Sequence, residues 1–104
     1  MHEDDLVPPN PWHPETDAQR LKVLGKLGEE AGELATACCR CVIQGIDEAE
    51  PVTGKVNREW LEDEIADVLA NIKHALNYFD LDWARIEKRR DRKLGHISRW
   101  REML

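Results

Sequence analysis

Two acidic stretches decide how this chain is read: Lys26-Leu27-Gly28-Glu29-Glu30-Ala31-Gly32-Glu33-Leu34 and, further on, Glu62-Asp63-Glu64-Ile65-Ala66-Asp67-Val68-Leu69. Each is set inside an apolar pattern of helical period. Around the first, Leu21, Leu24, Leu27, Ala31, Leu34, Cys38 and Cys41 recur at steps of three and four, which predicts a helix from Asp17 to Gly45 with Thr16 or Asp17 as its cap. Around the second, Leu61, Ile65, Val68, Ile72, Leu76 and Phe79 repeat the pattern, with Asn57 as the expected N-cap. Pro51 and Gly54 mark the loop between them. After Asp80-Leu81-Asp82 a third helix is expected from Trp83 to about Met103, with Ile86, Leu94 and Ile97 facing inward. No strand pattern and no internal repeat is present. The expected fold is therefore all-α, a helical bundle of about three main helices.

Working outward, residues 1 to 16 hold Pro8, Pro9, Pro11 and Pro14, four of the five prolines, and read as an extended arm ahead of a single domain spanning 17 to 104. Trp12 within it is expected to latch back on the body or to join a binding pocket. The core is small: Leu, Ile, Val and Phe together supply 24 of 104 residues, against 35% charged residues and a mean hydropathy of -0.63. A domain of this size buries only about two-thirds of its surface, so completion of a four-helix core by dimerisation is expected. Gly25, Gly28 and Gly32 share one side of the first helix, a surface suited to close contact with another helix, of this subunit or of a second one, or else simply tolerated.

No segment approaches the roughly 20 apolar residues of a membrane helix, and the opening Met-His-Glu-Asp-Asp lacks the features of a secretory leader. A cytoplasmic protein is expected. Cys38, Cys39 and Cys41 are too close in a helix for ordinary disulfides and lack a second pair to complete a zinc site, so they are expected as core thiols. The net charge of -6 is uneven: residues 1 to 84 carry 7 basic and 18 acidic residues, net -11, whereas 85 to 104 carry 8 basic and 3 acidic, net +5. A basic helix on an acidic body disfavours a broad duplex-binding surface.

Within the acidic stretches, Glu30 and Glu33 are one helical turn apart, as are Glu64 and Asp67. Antiparallel packing through the apolar stripes would bring both pairs to the edge of one seam. A solvated acidic face would place Lys or Arg four residues after the acids, but those positions hold no base. Like charges left so close ask for an external cation. An all-oxygen ligand set selects a hard ion, Mg²⁺ with Mn²⁺ as substitute, while the Glu-x-x-His pairs of a helical di-iron site are missing.

These same residues carry a resemblance. Glu29-Glu30 with Glu33, then Glu64 with Asp67, resemble the EExxE and ExxD motifs of the MazG-like all-α nucleoside triphosphate pyrophosphohydrolases, over about residues 17 to 80. The resemblance implies Glu30, Glu33, Glu64 and Asp67 as metal ligands, Glu29 as an auxiliary acid that orients water or joins a second metal, and Asn71 as a residue lining the substrate site. It implies a helical bundle that dimerises or pairs dimers. The implied reaction is Mg²⁺-dependent cleavage of a (deoxy)nucleoside triphosphate between the α and β phosphates, giving a monophosphate and pyrophosphate. A relative acting on phosphoribosyl-ATP in histidine synthesis is the nearest competitor.

Further substrate-binding candidates are Lys26, Trp60 as a base-stacking or helix-anchoring residue, and Arg89 and Arg92 on the basic helix as phosphate ligands. A different class remains open: a small helical interaction or single-stranded nucleic-acid-binding module that uses the basic tail. His74, alone on its helix, reads as structural.

Overall fold

The computed structural model describes residues 11–104; the first part of the arm lies outside them. Three helices make up the fold: α1 (Ala18–Gln44), α2 (Asn57–Phe79) and α3 (Trp83–Met103). Asp17 caps α1, its Oδ1 accepting from the Arg20 N–H at 2.9 Å. Gly45 ends the helix at φ 94°, a conformation open to glycine, and donates its N–H to the Cys41 carbonyl at 2.9 Å. No helix among the described residues is long and apolar enough to cross a membrane.

The connection from α1 to α2 is tied internally by Glu50. Its carboxylate accepts the Val52 N–H at 3.0 Å, the Thr53 N–H at 2.7 Å and the Thr53 hydroxyl at 2.7 Å. Asn57 does something other than the capping expected of it. It is the first helical residue, Val56 occupies the cap position without a side-chain bond, and Asn57 is fully buried with Nδ2 donating to the Gly45 carbonyl at 2.9 Å. An amide reaching across to the other helix end ties the two helices more directly than a local cap, which serves only its own helix.

From that junction α1 and α2 run antiparallel and form the only extensive helix-to-helix packing among the described residues. Their seam is narrower than the hydropathy pattern suggests. Leu27, Leu34 and Cys41 from α1 meet Leu61, Val68 and Leu76 from α2 as half-buried residues, with Ala37 and Ala75 fully inside. Leu21, Leu24, Ile65 and Ile72, expected inward, are exposed. Ala31 is exposed as well. A two-helix contact covers one stripe of each helix, and a wider apolar arc overhangs it.

Asp80, left-handed at φ 50° and ψ 51°, ends α2, and Asp82 caps α3 by accepting the Arg85 N–H at 3.0 Å. α3 buries no residue. Ile86, Leu94 and Ile97 were expected to face inward and instead stay exposed, Leu94 by 54%. The radius of gyration is 19.8 Å, against about 13 Å for a compact chain of ~100 residues. A third helix that packs on neither of the others accounts for the excess.

Other expectations also change. Cys38 and Cys39 are exposed and Cys41 is half-buried, so the thiols form no core cluster. Trp12 keeps 79% of its surface exposed. The glycines of α1 have no neighbour within 4 Å of where a Cβ would stand, so no helix of this chain uses them for close approach.

Candidate active site

Glu30 and Glu64 face each other because the α1–α2 register, fixed at one end by Asn57, sets the middle of α1 against the middle of α2. Glu30 follows Leu27 and precedes Leu34 on the inward stripe, and it is only 7% exposed. The acids were expected at the edge of the seam; Glu30 lies within it. Glu64 is half-buried on α2, whereas Glu29, Glu33 and Asp67 are exposed. Carboxylate oxygens of Glu30, Glu64 and Asp67 all lie within 4.8 Å of one another, and so do those of Glu29, Glu30 and Glu33. Glu30 joins the two triplets.

The electrostatics are unfinished in the protein by itself. Lys26 Nζ lies 3.1 Å from Glu30 Oε1 and 3.5 Å from Glu29 Oε1. This base stands one turn before the acids rather than one turn after them. It satisfies one oxygen of Glu30. Glu30 Oε2 and Glu64 Oε2 are buried with no hydrogen-bond partner. Buried carboxylate oxygens are costly without a partner, and a set of hard anionic oxygens converging from two helices suits a hard divalent cation. The charge of Glu30 raises the Glu33 carboxyl above its usual range, with partial desolvation and then the charge of Glu64 adding to it.

The remaining expected site residues divide into two groups. Asn71 is half-buried one turn beyond Asp67 and donates Nδ2 to the Asp67 carbonyl at 2.8 Å. Trp60 borders a cleft of about 150 Å³ that it shares with Glu33, Glu64, Thr36, Ala37 and Arg40. Arg89 and Arg92 are elsewhere, lining a separate cleft on α3 with Lys93 and His96. His74 lies exposed and stacks with Tyr78 at 6.2 Å between ring centres.

Two basic residues near the site went unremarked in the sequence. The Arg40 guanidinium lies 5.2 Å from the Trp60 ring centre and the Lys55 ammonium 4.3 Å from it. Lys55 also pairs with Asp63. Arg40 was legible in principle, since Glu33, Ala37 and Arg40 continue one helical stripe toward the end of α1. Lys55 was not, because it comes from the loop.

Two antiparallel helices bearing EExxE and ExxD acids that converge across their seam place the chain in the MazG-like all-α nucleoside triphosphate pyrophosphohydrolase superfamily. Within it, the model of the phosphoribosyl-ATP pyrophosphohydrolase family matches residues 1–93, and the chain belongs to that family. No curated protein and no solved structure matches it.

Proposed function

We propose that this protein is a divalent-metal-dependent nucleotide pyrophosphohydrolase that opens the α–β phosphoanhydride of a nucleoside triphosphate or a triphosphate-bearing nucleotide such as phosphoribosyl-ATP, releasing pyrophosphate. The observation that carries this reading is the buried, half-satisfied Glu30, whose carboxylate converges with those of Glu64 and Asp67. Family membership supports the reaction type.

On this reading Glu30, Glu33, Glu64 and Asp67 hold Mg²⁺ or Mn²⁺, and Glu29 orients the attacking water. A bound divalent ion supplies charge neutralisation for the polyphosphate and activation of water. Lys26 holds Glu29 and Glu30 in place, and Asn71, braced on the Asp67 backbone, borders the substrate. The exposed apolar residues of α2 and α3 support a homodimer or larger assembly that completes the bundle. Arg89 and Arg92 reach the carboxylates only if such an assembly brings α3 of another copy across them.

The test is a panel of nucleoside triphosphates, deoxynucleoside triphosphates and phosphoribosyl-ATP, assayed with and without Mg²⁺ or Mn²⁺ and with products identified by phosphorus NMR. Metal-dependent monophosphate (or phosphoribosyl-AMP) plus pyrophosphate supports the proposal. Initial release of orthophosphate, or salt-sensitive oligonucleotide binding with no turnover of any nucleotide, overturns it.

A further inference from the structure

Beside the carboxylates lies the cleft of about 150 Å³. Its lining joins two acids, Glu33 and Glu64, with Arg40 and Trp60. Arg40 is half-buried and makes no ion pair among the described residues, although two carboxylates share its cleft. The Glu50 carboxylate, which feels the charge of Arg40, is already held by Val52 and Thr53. What positions Arg40 is the ring of Trp60, 5.2 Å from its guanidinium. The Trp60 Nε1 is also buried and has no acceptor. A forked guanidinium held over an aromatic ring thus stands without a carboxylate partner next to an acidic cluster.

The N–H fork of Arg40 beside anionic oxygens matches an anion that shares a cation with the acids. A cleft of about 150 Å³ has room for a phosphate or pyrophosphate group. Trp60 is already engaged by Arg40 and Lys55, so its ring serves as a platform for cations rather than as an open stacking surface for a base.

We propose that Arg40, braced by Trp60, is a phosphate-binding residue of this protein, taking a phosphoryl group of the substrate or the pyrophosphate product in the cleft next to the Glu30–Glu64 carboxylates. The proposal rests on the pyrophosphohydrolase reading of those carboxylates, and inorganic pyrophosphate as the probe separates the two, because binding is read without turnover.

The experiment measures pyrophosphate binding, with Mg²⁺ present, to the full chain, to R40Q and R40K, and to W60F, by calorimetry and by indole emission. The wild-type protein is expected to bind and to change its emission, and W60F to lose that change although Trp12, Trp83 and Trp100 remain. R40Q is expected to bind at least ~10-fold more weakly and R40K to fall between, while Mn²⁺ binding measured without pyrophosphate shifts less than ~2-fold. Failure of wild-type protein to bind pyrophosphate, an emission change that survives in W60F, or unchanged affinity in R40Q overturns the assignment. Arg40-dependent pyrophosphate binding in a protein that turns over no nucleotide would uphold the anion site and refute the enzymatic reading. R40K, which keeps the charge, reads the part played by the guanidinium fork even if R40Q folds poorly.

Discussion

Lys26 Nζ stands 3.1 Å from Glu30 Oε1, while Glu30 Oε2 is buried and has no partner. The lysine head is itself about half exposed, so it neutralises the carboxylate from the solvent side only. Lys26 is held above its usual pKa, first by its hydrogen bond to Glu30 and then by the charge of Glu29. Removing it leaves a buried carboxylate with no cation. K26M should therefore melt several degrees lower than wild type in EDTA and recover most of the difference when Mg²⁺ is added. Equal Mg²⁺-induced rises in both proteins would show that lysine and metal do not serve the same charge.

Neutralising an acid has the opposite effect on the metal-free protein. The Glu33 carboxyl is raised by Glu30, so the associated stability is fully present below the ordinary carboxylate range and is lost as pH rises through the elevated value. At neutral pH, E33Q should melt above wild type in EDTA, and the gap should close on acidification. D67N should also gain, since it thins the same cluster. Turnover should fall by at least ~100-fold in both, because amides replace hard anionic ligands poorly. Unchanged melting together with unchanged turnover would identify a solvated face.

Glu50 supplies the reverse pH dependence. The Val52 N–H, then the Thr53 hydroxyl and N–H, hold its carboxyl below the usual range, so its contribution is present above the ordinary carboxylate pKa and is lost as pH falls through the lowered one. E50Q should lower the melting temperature at pH 7 by a few degrees and match wild type in strong acid. A difference that stayed constant down the acid limb would point to packing rather than charge.

Asn57 should be among the least replaceable polar residues. It is fully buried and its amide holds the Gly45 carbonyl at 2.9 Å across the helix junction. N57A leaves that carbonyl without its side-chain donor and should cost about 1–3 kcal/mol in urea unfolding. Because the junction fixes the register of Glu30 against Glu64, affinity for Mn²⁺ should weaken as well. A variant that lost stability while keeping full Mn²⁺ affinity would show that the register is set elsewhere.

Leu69 tests the assembly. It is 60% exposed on α2, between the similarly exposed Ile65 and Ile72. In a lone chain, L69E would change stability by no more than ~0.5 kcal/mol. If the overhanging stripe is an interface, wild type should show at least twice the 12.0 kDa chain mass in light scattering and L69E should approach the chain mass with a lower melting temperature. A monomeric wild-type protein at micromolar concentration would remove the interface.

The sequence alone determined the three helices, the end of the first at Gly45, and the two acidic motifs, because helical period and glycine's freedom at positive φ act over a few residues, while it left the first cap open between Thr16 and Asp17. Which acid faces inward was beyond it. Hydropathy assigns every glutamate outward, and only the packing of α1 on α2 turns Glu30 into the seam while leaving Leu21 and Ile65 outside. The Arg40–Trp60 contact joins helices whose register is set by the Asn57 junction, a long-range geometry that spacing along one helix does not contain. Period likewise marked Ile86, Leu94 and Ile97 as one face of α3 but carried no information about what that face meets, and among the described residues all three stay exposed, with no extensive packing of α3 on either helix.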